Sequence, residues 1–446
     1  MLSDSAATQM IFGWSPALYA SVVFAAVYIV VITEKINRAI IALMGGGLMI
    51  LGGVVNQEAA IRGIDFNTIG LLLGMMVIVG ITGKSGVFQY IAIWSAKRVS
   101  AHPMGVLVML AIVTAVLSAL LDNVTTVLLI VPVTLLITEE LRVLPYPYLV
   151  TEILFSNIGG TATLIGDPPN IMIGSLVGLT FNDFVSNLGA AVVVIMAATL
   201  VPLYFIWRKD LTTTAEARKR VMEFDERQAI TDPRLLKQAL AVLAAVIGGF
   251  VLAHTFHIQP ATIAMFGAGL LLLLDNYQRK AEEQSHNVHH AFSEVEWVTL
   301  IFFVGLFILV HGLESAGVIG SMAKALLDAT GGDLKVTAIA VLWGSAFLSA
   351  FIDNIPFVAT MIPLIKSLGP AMGGEQALMP LWWSLSLGAC LGGNGTLIGA
   401  SANLVVAGMA ERAGQPVRFV PYMKSSFLLM VMSIAISHVY VVLRFL

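Results

Sequence analysis

The stretch from Ser156 to Asn170, SNIGGTATLIGDPPN, lies between two strongly apolar segments and decides the fold. Its glycines, paired prolines, aspartate and asparagines do not suit the middle of a helix that faces lipid. Irregular backbone at membrane depth is tolerated only where it is buried in protein or lines a cavity. We therefore predict a membrane helix that is interrupted inside the protein.

A second stretch, Gly392 to Asn403, reads GGNGTLIGASAN and shares the glycine pair, the TLIG tetrad and the final asparagine of the first. Two interrupted segments at corresponding places in two halves of a membrane chain indicate the binding site of a transporter. We therefore expect the functional site where the two interruptions meet.

The composition is that of an integral membrane protein. The chain has 446 residues, 58% of them hydrophobic and 11% charged, with a mean hydropathy of +0.90, whereas soluble domains are about a quarter charged. The single cysteine, Cys390, excludes an intrachain disulfide, and the histidines show no metal-ligand spacing. We expect no metal, no cofactor, no nucleic-acid partner and, without a nucleophile-base pair, no enzyme.

Apolar runs long enough to cross a bilayer, flanks included, number ten, so we predict an all-α polytopic membrane protein. Two further apolar segments carry a polar break in the middle, Asp122-Asn123 in one and Asp353-Asn354 in the other. Because each half is shorter than a crossing, we predict two re-entrant helical hairpins, 105–138 and 336–366. The ten spans are 17–33, 37–55, 68–83, 149–178, 186–207, 236–253, 260–275, 297–312, 381–411 and 421–443.

The chain also contains an internal repeat. LSALLDN ends at Asn123 and LSAFIDN ends at Asn354, 231 residues later, and the interrupted stretches recur at an offset of 233 residues. We predict an N-terminal repeat (1–207), an exposed cytoplasmic linker (208–235) and a C-terminal repeat (236–446). Five crossings per repeat make the second copy inverted, which brings the hairpin tips together near the membrane midplane.

Charge placement predicts the orientation. With the N-terminus outside, 19 of the 24 lysines and arginines fall on the inner side, including the basic cluster of the linker. The positive-inside rule requires such an asymmetry. We therefore predict a multi-pass protein of the bacterial inner membrane, with the lipid bilayer as its first partner.

The aspartates at the hairpin tips are the main candidates for chemistry, because carboxylates at the bilayer centre are costly and usually face a polar cavity. Asp122 and Asp353 are also placed to cap the second helix of each hairpin. Asp167 has no acidic counterpart in the second repeat, since Ala400 occupies the matching place. Asp167 either caps the next half-helix or binds an ion. The predicted ion- and substrate-binding residues are Asp122, Asn123, Thr125, Thr126, Asn157, Gly159, Gly160, Thr161, Thr163, Asp167, Asn170, Asp353, Asn354, Gly392, Gly393, Asn394, Thr396 and Asn403.

The glycine pairs allow unwound backbone whose carbonyls are free to face an ion; close helix packing is the alternative. No lysine or arginine falls inside the proposed midplane elements. A site of carboxylates, hydroxyls and amides therefore fits a neutral polyhydroxy solute or a monovalent cation better than a dianion. No phosphate-binding GxxxxGK[ST] loop is present, so the energy comes from an ion gradient or from a separate soluble ATPase subunit.

SNIGGTATLIGDPPN, with LDNVTTVLLIVPVT before it and FIDNIPFVATMIPLI after it, resembles the ArsB/NhaD group of the ion transporter superfamily. That group includes arsenite and antimonite efflux permeases, sodium/proton antiporters and the melanosomal P protein. The resemblance covers essentially the whole chain and implies ten transmembrane helices, two re-entrant hairpins and proton-coupled transport. The intact GDPPN and the Asp353-Asn354 tip are closer to P-protein-like members than to the enterobacterial arsenite permease.

The sequence therefore predicts a secondary active transporter of a small inorganic or ionic substrate, with proton-coupled efflux of arsenite or antimonite as the leading hypothesis. Sodium/proton antiport, in which the aspartates bind sodium, is the first alternative. Transport of a carboxylate or other organic anion is the second, and an ion channel on the same scaffold is a remote one. The sequence leaves open a homodimer and a docked ATPase.

Overall fold

The computed structural model describes residues 13–33 and 35–446, and all regular structure in these ranges is helical. The N-terminus, predicted to lie outside, falls beyond the described residues. The first half contains α1 (Pro16–Thr33), α2 (Arg38–Leu51), α3 (Gln57–Arg62), α4 (Phe66–Lys84), α5 (Val87–Arg98), α6 (Pro103–Leu120), α7 (Asn123–Leu141), α8 (Tyr146–Gly160), α9 (Pro168–Val177) and α10 (Phe181–Trp207). The linker contains α11 (Ala215–Glu223) and a 3-10 helix (Glu226–Ala229).

The second half begins after the linker and has the same order of helices. It contains α12 (Pro233–Phe256), α13 (Pro260–Asn276), α14 (Ala281–Ser293), α15 (Trp297–Ser315), α16 (Val318–Thr330), α17 (Leu334–Phe351), α18 (Asn354–Met372), α19 (Met379–Gly392), α20 (Ser401–Arg412) and α21 (Phe419–Phe445). Short 3-10 turns lie at Glu375–Leu378, Gly393–Gly395 and Leu397–Gly399.

The two halves are copies of one unit. The helices α4 to α10 correspond in order to α15 to α21, and even the capping glycines match: Gly86 before α5 and Gly317 before α16 have φ of 80° and 77°, a region in which glycine carries no steric cost. Packing is exchanged between the copies, with α4 against α13 and α2 against α15, and α7 against α20 and α18 against α9. Such reciprocal pairs are produced by a pseudo-two-fold axis.

The two copies run in opposite directions. The linker packs at the end of α4, where the backbone N–H of Thr231 donates to the carbonyl of Ser85 at 3.0 Å. We call this side of the molecule the linker face. The helix α14, which leads into α15, lies on the same face, since Lys84 Nζ donates to Asn287 Oδ1 at 3.4 Å. Because α4 ends where its mate α15 begins, the repeats are inverted.

By length and composition, ten helices of the described chain could cross a membrane. This set differs from the ten predicted runs, because it includes all four hairpin legs, α6, α7, α17 and α18, at 18 or 19 residues each. Each leg is therefore longer than predicted; α7, for example, continues past its apolar run through Glu139 and Glu140 to Leu141. The helices α2 and α13 are shorter, and the interrupted spans are divided into α8 with α9 and α19 with α20.

The linker is not a freely exposed tether. Arg220 Nε donates to Glu140 Oε2 at 3.0 Å, at the end of α7, and Lys97 of α5 pairs with Glu226. The hydrogen bond from Lys97 holds the pKa of the Glu226 carboxyl below its usual range. These contacts attach the linker to the end of the first hairpin that lies on the linker face, away from the tip.

Small residues bring each hairpin close to its interrupted helix, and this packing predicts a stability effect. A Cβ on Gly159 would lie 2.2 Å from the carbonyl oxygen of Ala115 in α6, whereas a Cβ on Gly47 would meet nothing within 4 Å. We expect Gly159→Ala to destabilise the protein by about 1–3 kcal/mol through overpacking, and Gly47→Ala to be neutral or stabilising. Thermal unfolding in detergent measures both, and equal midpoints would contradict the packing.

Candidate functional site

The hairpin tips are buried and built alike. Asp122 precedes α7 and accepts a hydrogen bond from the backbone N–H of Thr125 at 2.7 Å, and Asp353 precedes α18 and accepts from the N–H of Ile355 at 3.0 Å. Both carboxylates therefore cap the helices that follow them, as the sequence predicted. Their exposures are only 4% and 7%, so each cap lies inside the protein rather than at its surface.

The two tips nevertheless differ in charge. The Asp353 carboxylate forms an ion pair with Arg38 Nη1 at 2.7 Å and accepts a hydrogen bond from Ser401 Oγ at 2.9 Å. Asp122 has no cationic partner among the described residues. The first tip instead carries two buried polar atoms without a hydrogen-bond partner, Asn123 Oδ1 and Thr126 Oγ1. Such atoms are rare in native proteins and are satisfied by a ligand, an ion or water.

Arg38 is a candidate site residue that sequence reasoning missed. It is the first residue of α2, and its guanidinium also donates to Ser401 Oγ and to Thr299 Oγ1 and lies over the ring of Phe302. The proposed midplane elements themselves carry no arginine, but Arg38 reaches the second tip from the neighbouring helix α2. Its place at the start of an apolar run was the available signal, but it reads equally well as a membrane-surface residue.

A cavity of about 340 Å³ surrounds this ion pair. It lies on the linker face, because its wall includes Glu296 and Thr299 from the first turn of α15. Val124 of the first tip and Ile398 of the second interruption also line it. The cavity therefore connects one face of the molecule to both hairpin tips.

A second, smaller cavity of about 220 Å³ lies at the opposite face of the molecule, among other helices. It is lined by Asn67 near the start of α4, by Ser175 of α9 and by His254 and Gln259 between α12 and α13. These elements are the mates of those around Arg38. Each face of the protein thus has a crevice built from equivalent helices, and only the linker-face crevice includes a tip aspartate.

Asp167 occupies the centre of the first interruption and is fully buried. Its side chain makes no capping hydrogen bond to α9, so the capping alternative is wrong. The backbone turns so that the carboxylate points to the second tip, where Asn354 Nδ2 donates to its oxygens at 3.2 and 3.4 Å. Asn123 and Cys390 also lie within hydrogen-bonding reach. No lysine or arginine of the described chain pairs with it.

Asparagine amides join the tips to both interruptions. Asn157 accepts a hydrogen bond from Asn123 Nδ2 at 3.1 Å and donates to Asn394 Oδ1 and Asn403 Oδ1, each at 2.9 Å. This network spans residues of both repeats, as the sequence predicted for paired interruptions. Buried hydrogen-bond networks favour a single arrangement, so these amides hold the first tip and both interruptions together, while Asn123 Oδ1 stays without a partner.

The unwound carbonyls are not free, which corrects the expectation that they face an ion. Asn170 Nδ2 donates to the carbonyls of Gly160, Thr161 and Thr163, and its mate Asn403 binds those of Gly393 and Thr396. The buried backbone of each interruption is thereby satisfied within the protein. These two asparagines therefore hold the interruptions in shape, and their contact with a ligand stays a prediction.

The predicted threonines and glycines also support the interruptions. Thr163 donates to the carbonyl of Ala119 and its mate Thr396 to that of Ala350, which ties each interruption to its hairpin. Gly392 packs on Ala346 as Gly159 packs on Ala115. The structure therefore brings the eighteen predicted residues together in one region, in which Thr125 is half-buried and the others are buried; direct ligand contact by any of them stays a prediction.

Glu152 is a second residue that sequence reasoning missed. It is 1% exposed in α8, and one carboxylate oxygen has no partner. The signal was present, because a glutamate in the run TEILF is an ionisable residue within a membrane segment. The internal repeat does not mark Glu152, because the matching residue of the second copy is Leu385.

Two inverted repeats, buried hairpin tips and a crevice on each face define a polytopic membrane transporter. The family model described as a citrate transporter, CitMHS, matches residues 28–388. The chain belongs to this family.

Relatives match this chain over nearly its whole length. An uncharacterized transporter of Mycobacterium tuberculosis is 42% identical over 433 residues, covering 96% of this chain and 99% of the relative. The P protein of Homo sapiens is 32% identical over 502 residues, covering 94% of this chain and 59% of that protein. The resemblance to P-protein-like members is thus confirmed, whereas a specific relation to arsenite permeases is not.

The fold itself is shared with a solved structure. The crystal structure of the YdaH transporter of Alcanivorax borkumensis, whose title reports an unusual topology, aligns over 96% of this chain and 99% of that chain with a TM-score of 0.52. The sequence identity is 12%, so this likeness concerns the fold alone. It agrees with the predicted all-helical architecture.

Proposed function

We propose that this protein is a secondary active transporter of a small organic anion that carries carboxylate groups, with citrate as the first candidate, coupled to protons. The observation that carries the proposal is the ion pair of Arg38 and Asp353 in the linker-face cavity, at 2.7 Å. The family supports the same class of substrate.

The cavity suits an anion of this size. Its volume of about 340 Å³ falls at the lower end of the range for small-molecule sites, roughly 300–1,000 Å³. A guanidinium is planar and binds carboxylates through two parallel hydrogen bonds. The hydroxyls of Ser401 and Thr299 already contact Arg38 and would also serve the hydroxyl and carboxylate oxygens of a substrate.

The ion pair supplies a coupling mechanism. A substrate carboxylate and Asp353 compete for Arg38. When the substrate takes the guanidinium, Asp353 is left as a buried charge without a partner, which is costly, and a proton removes that cost. Anion and proton therefore promote each other's binding, and this coupling is reciprocal. Glu296, in the same cavity, adds a further negative charge that disfavours an anion arriving without a proton.

The paired crevices support alternating access between two faces. We propose that the linker face is cytoplasmic, since most lysines and arginines lie there, and that the protein resides in the bacterial inner membrane. The described state then opens inward, with its cavity reaching Asp353. A docked soluble ATPase and a homodimer stay predictions from the sequence.

Efflux of arsenite or antimonite, and sodium/proton antiport, stay predictions from the sequence. The preference for a neutral solute depended on a site without arginine, and Arg38 removes that premise. A buried, unpaired carboxylate such as Asp167 is the feature that still favours a cation. The three substrate classes are separated by one set of measurements.

Purified protein in proteoliposomes is given labelled citrate, arsenite or sodium in separate assays, with a pH gradient imposed. We expect citrate to accumulate against its gradient only when the outside is acidic, because the proton must enter with it. Protein-free liposomes and a protonophore are the controls. Accumulation of arsenite or sodium without citrate movement would contradict the carboxylate proposal, and downhill flux without accumulation would indicate a channel.

A further inference from the structure

Glu152 is a buried carboxyl to which the transport mechanism above gives no role. One of its oxygens accepts a hydrogen bond from Thr134 Oγ1 of α7, and Oε2 has no partner. An ionised carboxylate in such a place carries a large desolvation cost. A bound proton would remove that cost.

No cation of the neighbouring helices interacts with Glu152. Within the described chain α8 packs against α6, α7, α10, α19, α20 and α21. No charged side chain of these elements acts on Glu152; burial and the Thr134 hydroxyl are the influences on its carboxyl. The helix α6 has no titratable side chain. The other titratable groups of α8 and of the elements packed against it are Tyr146, Tyr148, Asp122, Glu139, Glu140, Asp183, Tyr204, Cys390, Glu411, Arg412, Tyr422, Lys424, His438, Tyr440 and Arg444.

A cavity on the linker face ends close to the Thr134–Glu152 pair. Thr138 lies one turn further along α7 than Thr134, about 6 Å away along the helix axis. Thr138 and Glu139 line a cavity of about 250 Å³ that also contacts Gln415 after α20. A proton that enters this cavity is therefore about one helical turn from the Thr134–Glu152 pair.

On its other side Glu152 approaches the candidate site. Asn157 follows five residues later on α8, about 7.5 Å along the helix, and is bonded to Asn123 of the first tip. The intervening Thr126 hydroxyl of α7 is buried and has no partner. Glu152 thus lies between a crevice on one face and the asparagine network at the tips.

We propose that Glu152 is a proton-binding site of the transport cycle, loaded and unloaded through the cavity at Thr138. On release the O–H bond of the carboxyl breaks, its electron pair stays on the carboxylate and the proton leaves on a cavity water. Loading is the reverse. The cycle to which this site belongs is the proton-coupled transport proposed above, on which this inference rests. The mate of Glu152 is Leu385, so the route exists in one repeat and serves one face.

The first test needs no substrate. Infrared difference spectra of the reconstituted protein follow the carbonyl stretch of protonated carboxylic acids while the pH is raised. We expect a wild-type band that disappears with rising pH and is missing in Glu152→Gln. Glu283→Gln, which removes an exposed carboxyl of α14 that does not line this cavity, should keep the band. A band unchanged in Glu152→Gln, or one that never titrates, overturns the proposal.

The second test counts protons with citrate as the probe and a pH-sensitive dye inside the proteoliposomes. We expect Glu152→Gln to lower the number of protons that enter per citrate, while Glu283→Gln matches wild type. Glu152→Leu, which copies the mate residue, should do the same as Glu152→Gln. Unchanged proton counts in both variants overturn the proposal. If wild type moves no citrate, the proposed function fails, while the infrared result still decides whether Glu152 holds a titrating proton.

Discussion

We expect the replacement of Arg38 by glutamine to lower citrate uptake by about 10- to 100-fold. The guanidinium is the cation of the linker-face cavity that contacts a tip aspartate, and a hydrogen bond to a charged group contributes about 1.5–3 kcal/mol. Each 1.4 kcal/mol is about tenfold in affinity. We expect the loss mainly in the apparent affinity for citrate, because the substrate carboxylate loses its charged partner. Initial rates of labelled uptake over a range of citrate concentrations measure it.

A matched arginine controls for charge alone. Arg62 is exposed and pairs only with Glu58 on the same short helix, a kind of pair that contributes little. Arg62→Gln should therefore transport as wild type does. Equal uptake by Arg38→Gln and wild type would show that Arg38 is not part of the substrate site.

Folding must be separated from binding, because Arg38→Gln leaves Asp353 buried without its cation. Removing one partner of a buried pair costs about 3–5 kcal/mol; a smaller loss is expected here, since the Arg38 side chain is 21% exposed. The double variant Arg38→Gln/Asp353→Asn removes the unpaired charge. We expect it to regain thermal stability without regaining citrate affinity, which a purely structural role for Arg38 would not produce.

The repeat and the hairpin tips were accessible from the sequence because their signals are local. Asp122-Asn123 and Asp353-Asn354 end the same seven-residue motif, and a polar pair inside an apolar run has few interpretations in a membrane. The interrupted helices were predicted for the same reason. Inversion followed from counting crossings, and an odd count depends on segment number rather than on exact boundaries.

The partners of the tips were not accessible, because they depend on which helix lies beside which. Arg38 reaches Asp353 across 315 positions of the chain, and no periodicity encodes that approach. Asp167 illustrates the same limit. Its position before two prolines favours a cap, but the backbone turn directs the carboxylate to Asn354 instead. Local rules describe the helix start, and tertiary packing decides what the side chain binds.

Hairpin length shows where composition misleads. Apolar runs end at the first polar residues, whereas a helix continues while its backbone hydrogen bonds and caps are satisfied. The helix α7 therefore runs on through Glu139 and Glu140 to Leu141, where Glu140 meets the linker. Counting hydrophobic residues underestimates a helix whose polar end is held by another part of the protein.

Asp353→Asn should abolish proton-driven accumulation of citrate while citrate exchange persists. The neutral amide no longer competes for Arg38, so a substrate carboxylate binds without a proton being taken up. Exchange of internal for external citrate then becomes independent of pH, whereas wild-type exchange is faster at acidic pH. An asparagine caps a helix as well as an aspartate does, so α18 should remain folded. Counterflow assays at several pH values measure exchange, and uptake under an imposed pH gradient measures accumulation.

Asp122 is the counterpart of Asp353 in the first repeat. The variant Asp122→Asn therefore separates the effect of losing a charge at a hairpin tip from the effect of losing the ion pair with Arg38. Asp122 has no cationic partner in the described chain and lies beside the unpartnered oxygens of Asn123 and Thr126, which suits it to hold the coupling ion. We expect Asp122→Asn to lose accumulation as well, but to keep the pH dependence of exchange, since the Arg38–Asp353 pair is intact. Asp328→Asn, an exposed carboxylate on α16, should change neither. If both tip variants accumulate citrate at wild-type rates, the assignment of the site to the hairpin tips is wrong; if Asp353→Asn exchange keeps its pH dependence, competition for Arg38 is not the coupling step.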